Sequence, residues 1–299
     1  MSMPRSSLVS MVRYFSFLIF RVSPAAYMIV YRLNQESKSI LKSTGTTSHF
    51  TDILVGRCFE YQNILDKSYS RSYDCENILE KFISAFAYQG PCSLTGASYD
   101  AFMNAAATNI SENKAMFWSG TYTIAHEYAG SGKRFITMED TLIGHLANGL
   151  IWCGQTEEPG INYQNCPSHD ECPQESSKAF WGAASKTFAS RAIGVVTLLL
   201  NGSNPTSPAF RTDSFFAEFE LPSLSKSSVT KINVLVAHDF INENRETCSG
   251  GSLLTLFKSI EDHELEYECF DDPESIIYLL CVDDPSSREC RHVSQLMKV

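Results

Sequence analysis

The sequence predicts an α/β fold: helices first, then a small, mostly parallel sheet flanked by helices. Three observations predict it. Apolar residues recur at helical spacing early in the body of the chain, as in Ile78, Leu79, Phe82, Ile83 and Phe86. Later the pattern changes to short apolar runs with the length and β-branched content of buried strands. Ten cysteines all lie beyond residue 57, an even number with no CxxC pair. That arrangement argues for five disulfides in an oxidising compartment, and against zinc ligation or a thioredoxin-type redox site.

In chain order, the first fifty residues hold six Lys/Arg (Arg5, Arg13, Arg21, Arg32, Lys38, Lys42) against a single acid, Glu36. The apolar run Tyr14 to Phe20 is too short to cross a bilayer and is followed by Arg21. It reads as a secretory signal, with an amphipathic or signal-anchor segment as the alternative. Residues 34–48 are polar and Ser/Thr-rich, the composition of a linker, so 1–48 is expected to be leader and linker. The remaining chain carries 18 basic and 33 acidic residues. Such a body repels phosphate and is not expected to bind nucleic acid. Two sequons, at Asn109 and Asn201, are compatible with export.

Helices are expected around residues 78–86, along Tyr99, Phe102 and Ala106, and from about 176 to 192, where Phe180, Ala184 and Phe188 form one stripe. Thr137-Met138-Glu139-Asp140 reads as a capping box opening a helix that buries Leu142, Ile143, Leu146 and Leu150. Strands are expected at 195–200, 232–237, 265–270 and 276–281, with Met116-Phe117-Trp118 as a further one between helices. Helical stretches are expected near 253–260 and 290–297.

Candidate chemistry begins with the glutamates. Glu139 falls at i, i+4 and i+7 with Ile143 and Leu146, so it is either a functional carboxylate on an apolar face or part of the cap. The segment from Ser214 to Pro222 alternates, with Phe215, Ala217, Phe219 and Leu221 on one side and Phe216, Glu218 and Glu220 on the other. By itself it reads as an edge strand with two solvated glutamates, ended by Pro222. Trp181 and Ser185 are one helical turn apart and share a face. The seven histidines are scattered, and HxxxH, GxSxG and Gly-rich strand-to-helix motifs are absent from the sequence.

These segments together resemble the ADP-ribosyl cyclases. The resemblance rests on Ile136 to Leu142, Leu150-Ile151-Trp152-Cys153-Gly154, Met116 to Gly120, Ala179-Phe180-Trp181-Gly182, and Asp213 to Phe216 with Glu220-Leu221-Pro222. It runs from about Leu54 to Met297 and points to the molluscan branch, because Phe215 and Gly120 follow that branch. The resemblance implies a helical lobe (49–111 and 138–192), an α/β lobe (112–137 and 193–299) and an active site in the cleft between them. It implies cleavage of the nicotinamide–ribose bond of NAD, cyclisation to cyclic ADP-ribose, a link to calcium signalling, and some hydrolysis to ADP-ribose. Glu220 is implied as the catalytic glutamate, with Glu139 holding the nicotinamide carboxamide and acting on the balance of products. Trp118, Trp181, Ser185, Phe215, Phe216, Ser119, Gly120 and Asp140 are implied as substrate-binding.

The implied pairing of cysteines is Cys58–Cys75, Cys92–Cys172, Cys153–Cys166, Cys248–Cys269 and Cys281–Cys290. No cofactor or metal is implied, since NAD is the substrate. NADP as a second substrate and a homodimer are compatible with the resemblance, and membrane contact is expected only through an uncleaved leader. The product is therefore expected in the secretory pathway, whether secreted, vesicle-lumenal or anchored. His145 departs from the family pattern, which has tyrosine there. Three alternatives remain: a predominant NAD(P) glycohydrolase, a secreted glycosidase using Glu218 with Glu220, and a non-enzymatic disulfide-stapled binding ectodomain.

Overall fold

The computed structural model describes residues 45–65, 73–130, 133–172, 176–240, 246–283, 285–288 and 290. The leader and most of the linker, and nearly all of the helix expected at 290–297, lie outside the described residues.

The helical part is built from α1 (Phe50–Glu60), α2 (Cys75–Phe86), a 3-10 turn (Gly96–Tyr99) that runs into α3 (Asp100–Ala106), α5 (Leu142–Ala147) and α6 (Ser176–Ala189). Its core is aromatic. The Phe82 ring stacks on Phe102 at 4.6 Å and lies 5.1 Å from Phe180. Trp152 belongs to this core, where its indole N–H donates to the Tyr99 hydroxyl at 3.0 Å, so its polar edge is satisfied inside the protein. Asp74 caps α2 by accepting from the Asn77 amide at 3.0 Å.

The sheet has four parallel strands in the order β1 (Met116–Ser119), β2 (Gly194–Asn201), β3 (Val229–Ala237) and β4 (Tyr267–Asp271). The register pairs Trp118 with Leu199, Leu199 with Leu235, and Leu235 with Phe270. Alternation sorts the strand residues onto two faces. Phe117, Leu198, Val234 and Val236 pack with Phe188, Phe216 and α7 (Leu253–Asp262). Met116, Leu199 and Leu235 pack with α4 (Tyr122–Ala129) and with Ile276 of α8 (Glu274–Asp283). The chain thus builds α1 to α3 first, enters the sheet at β1, leaves it to add α5 and α6 to the helical part, and returns at β2. This is why the strand at 116–118 reads as isolated among helices in the sequence.

The disulfides join Cys58–Cys75, Cys92–Cys172, Cys153–Cys166, Cys248–Cys269 and Cys281–Cys290, which are the pairs the family resemblance implies.

Three expectations are corrected. The run 276–281 is not a strand; it lies inside α8. A short apolar run satisfies either period, and the deciding signals are Pro273 followed by Glu274 at the helix start. Thr137 to Asp140 does form a capping box, but on a separate 3-10 turn (Met138–Asp140). Thr141 then turns extended and caps α5 by accepting from the Gly144 amide at 3.3 Å. Glu139 therefore shares no helical stripe with Ile143 and Leu146. Third, the segment from Ser214 to Pro222 is not an edge strand. It winds into a π-helical turn (Phe216–Glu220) and a 3-10 turn (Leu221–Ser223). Ser214 starts the winding, its hydroxyl accepting from the Ala217 amide at 3.2 Å, and Pro222 suits the first turn that follows.

Candidate active site

A cavity of about 320 Å³ opens beside the carboxyl end of β1, the side of a parallel sheet where ligands commonly bind. Four elements line it. The end of β1 supplies Trp118, Ser119 and Gly120. The 3-10 turn supplies Met138 and Glu139. One stripe of α6 supplies Trp181, Ser185 and Phe188, and the winding segment supplies Ser214, Phe215, Phe216 and Glu220. Met116 and Phe117 of β1, with Asn148 and Arg211, complete the wall.

The winding segment decides which glutamate is inside. A strand puts residues two apart on one face, so Glu218 and Glu220 would have stood together. The π-helical turn instead brings Phe216 and Glu220 to the cavity and leaves Glu218 exposed. Such turns recur at functional sites because they re-aim single side chains.

Glu220 is only 7% exposed. The fully buried Ser185 hydroxyl donates to its Oε1 at 3.0 Å. Burial pushes the Glu220 carboxyl up, the Ser185 hydroxyl pulls it back in part, and the charge of Glu139 pushes it up again, to about 8. A carboxyl in that state gains most when positive charge arrives beside it. Glu139 faces a different wall. Its Oε2 accepts from the Trp118 indole N–H at 3.4 Å and lies 3.9 Å from His126 Nε2.

Glu139 is held by a close approach of backbone. At Gly144 a Cβ would lie 2.3 Å from the Met138 carbonyl oxygen and 2.6 Å from the Glu139 Cα. Gly144→Ala is therefore expected to destabilise the protein by about 1–3 kcal/mol, as overpacking does, and to displace the turn that carries Glu139. Thermal melting of the variant checks this; an unchanged melting temperature would mean that the turn yields freely.

Of the sequence-predicted site residues, the cavity brings together Glu220, Glu139, Trp118, Trp181, Ser185, Phe215, Phe216, Ser119 and Gly120. It does not include Asp140, whose Oδ2 accepts from the Thr137 amide and hydroxyl, both at 2.9 Å, as the capping-box partner. His145 also stands away from the cavity, with its Nε2 3.3 Å from Glu60 Oε2. Burial, ahead of the opposing pull of Glu60, lowers its pKa.

Sequence reasoning missed Arg211, Asn148 and Met138. Arg211, the sole cation among the lining residues, stands two residues before the Asp213-Ser214-Phe215-Phe216 motif, and that proximity was the available signal. Its Nε is 3.6 Å from Asp213 Oδ1, with the Arg211 side chain half exposed and that of Asp213 largely so, a surface pair of little strength. Among the described residues, no group of three or more His, Cys, Asp or Glu side chains gathers in a metal-binding arrangement.

The cavity thus offers two indoles, a serine-bound buried carboxyl, a second carboxylate and one guanidinium at an aromatic wall. Known proteins share this arrangement of chain. A family model described as ADP-ribosyl cyclase matches residues 47–290. The ADP-ribosyl cyclase/cyclic ADP-ribose hydrolase of Aplysia californica is 40% identical over 255 residues, which cover 85% of this chain and 90% of the relative. The crystal structure of Aplysia cyclase complexed with the substrate NGD and the product cGDPR superposes with a TM-score of 0.79 at 40% identity, covering 82% of this chain and 98% of that one. Porcine CD38 complexed with a covalent intermediate, ribo-F-ribose-5'-phosphate, superposes at 0.72 and 33% identity, over 77% of this chain and 98% of that one. With a family model spanning most of its length and relatives this similar, the chain belongs to the ADP-ribosyl cyclase family.

Proposed function

We propose that the protein cleaves the nicotinamide–ribose bond of NAD and closes the ADP-ribosyl group to cyclic ADP-ribose, with some hydrolysis to ADP-ribose. The observation that carries this is Glu220, buried and bonded to Ser185 in a cavity walled by Trp118, Trp181 and Phe215. Nicotinamide departs neutral, because the C–N electron pair returns to a cationic ring, so no strong general acid is required. What the chemistry requires is a negative group beside the oxocarbenium-like carbon that remains. Glu220 stabilises that carbon or bonds to it, and the covalent intermediate captured in porcine CD38 supports the second course. Adenine N1 then attacks the same carbon from the folded dinucleotide, or water does.

The remaining residues take supporting roles in this reading. Glu139 holds the carboxamide of nicotinamide, Trp118 and Trp181 clamp the two ends of NAD, and Phe216, Ser119 and Gly120 complete its wall. Arg211 meets the diphosphate. The chemistry calls for no metal and no added cofactor. The separate cores of helical residues and of the sheet support two lobes, 49–111 with 138–192 and 112–137 with 193–299, around this site, although Ile110, Phe188, Ala189 and Ala192 at the edges of the first pack into the sheet core. The disulfides support an exported location, secreted, vesicle-lumenal or anchored through the leader. NADP is a second candidate substrate, and a homodimer a candidate assembly. The glycosidase alternative loses its carboxylate pair, since Glu218 is exposed where Glu220 is buried.

Incubation of the purified protein with NAD, followed by chromatography, tests the reading. Nicotinamide with cyclic ADP-ribose is expected; intact NAD would favour the binding ectodomain, and ADP-ribose alone the glycohydrolase. A pH series tests the carboxyl. The free protein must release the Glu220 proton before it can stabilise a cation, so kcat/KM should rise with pH, pass half of its maximum near 8 and level above that. In kcat the same step should move to lower pH, because the bound cationic ring favours the carboxylate. A kcat/KM that is flat below 8 would count against Glu220 as the ionising group.

Phe215 tests the product balance. It is 39% exposed and its ring lies 5.3 Å from that of Phe219. An apolar wall there crowds out water and confines the folded substrate, raising the effective concentration of adenine N1. Phe215→Ser is expected to shift the product toward ADP-ribose, with a smaller loss of NAD consumption than Glu220→Gln. An unchanged product ratio in the folded variant would reduce Phe215 to packing.

A further inference from the structure

His126 has no part in the site as read from the sequence, yet it stands directly behind it. It lies on α4, the helix that follows β1, so the strand carrying Trp118 and the helix carrying His126 are adjacent in the chain. The imidazole packs 4.3 Å from the Tyr122 ring and 6.0 Å from the Trp118 ring. Its Nε2 is buried and makes no hydrogen bond among the described residues. Buried ring nitrogens are rarely left without a partner. Glu139 Oε2 lies 3.9 Å away, and the two side chains are 24% and 12% exposed. The same Oε2 accepts from the Trp118 indole at 3.4 Å. Two ring nitrogens therefore converge on one carboxylate oxygen, and a small rotation of that carboxylate closes the longer contact. Oε1 has no protein partner among the described residues.

We propose that His126 is a positioning residue for Glu139. Its Nε2–H and the indole N–H of Trp118 hold Oε2 between them, and this leaves Oε1 to accept from the amide of the substrate. The proposal rests on the reading of Glu139 given above. It differs from a packing role in one respect: packing needs only a ring of this size between Tyr122 and Trp118, whereas positioning needs the N–H. Without that donor the carboxylate is free to turn, its hold on the amide weakens, and the competition between adenine N1 and water changes.

The test is the product ratio of His126→Phe and His126→Gln, each made alone and with Glu139→Gln. Phenylalanine keeps the ring contacts and lacks the donor; glutamine restores a donor. His126→Phe should move the ratio of cyclic ADP-ribose to ADP-ribose about twofold or more, in the direction Glu139→Gln moves it, and add nothing in the Glu139→Gln background. His126→Gln should stay closer to the wild type. A wild-type ratio in folded His126→Phe, or an equal shift in both backgrounds, would overturn the proposal. A second measurement needs neither turnover nor the Phe variant. The imidazole ¹⁵N resonances of His126 in the full chain should move when Glu139→Gln is made. Unmoved resonances overturn the contact. Moved resonances in a protein that leaves NAD intact support the contact while the proposed function falls.

Discussion

Glu220→Gln is expected to abolish turnover while NAD still binds. The substitution keeps shape and hydrogen bonding and removes the negative charge that the proposed reaction requires beside the anomeric carbon. Losing one such electrostatic interaction commonly lowers the rate by about 10²–10³, and more is expected where the carboxylate also forms the covalent bond. The same variant should be more stable than the wild type at alkaline pH. The folded protein holds the Glu220 proton up to about 8, whereas the unfolded chain releases it in the ordinary carboxylate range. Between those limits the native state binds more protons, so wild-type stability falls as pH rises through that window. Glutamine has no proton to lose, and the gap in melting temperature between variant and wild type should widen up to about 8 and then stay constant. Near-normal activity in Glu220→Gln together with a dead Glu218→Gln would assign the wrong glutamate to the cavity.

Reduction of the disulfides is the second large effect. The bridges span 9, 13, 17, 21 and 80 residues of chain. In the chain-entropy model the longest, Cys92–Cys172, contributes about 4–5 kcal/mol and the shortest, Cys281–Cys290, about 2–3 kcal/mol. A domain's whole stability is typically about 5–15 kcal/mol, so full reduction should unfold the protein cooperatively at moderate temperature. Cys92→Ala with Cys172→Ala should lower stability more than Cys281→Ala with Cys290→Ala. Mass spectrometry after alkylation without reductant checks the premise: ten modified cysteines in denatured, unreduced protein would remove the disulfide framework altogether.

Much of this was legible in the sequence because it is local. The stripe on α6, the amphipathic α2 and the β-branched runs of β2 and β3 each follow from the spacing of neighbours along the chain. The cysteine pattern predicted five disulfides, and the motifs named nine of the residues that line the cavity. Where the reading failed, several local solutions fitted the same letters. Alternation from Ser214 to Pro222 suits a strand, but the Ser214 hydroxyl offers the backbone a partner within its own turn, and the chain winds. Glu139 looked like a continuation of the α5 stripe, and an extended Thr141 broke the period.

The sequence alone therefore determined the fold class, the disulfide-rich body and the family motifs, since these depend on residue type and spacing. The tertiary structure alone decided that Glu220 is buried and Glu218 exposed, that Asp140 serves a cap rather than the cavity, and that His126 stands beside Glu139. Those outcomes depend on which distant segments meet. A carboxyl's charge state and reach are set by the groups brought against it in the fold, and no spacing along the chain encodes them.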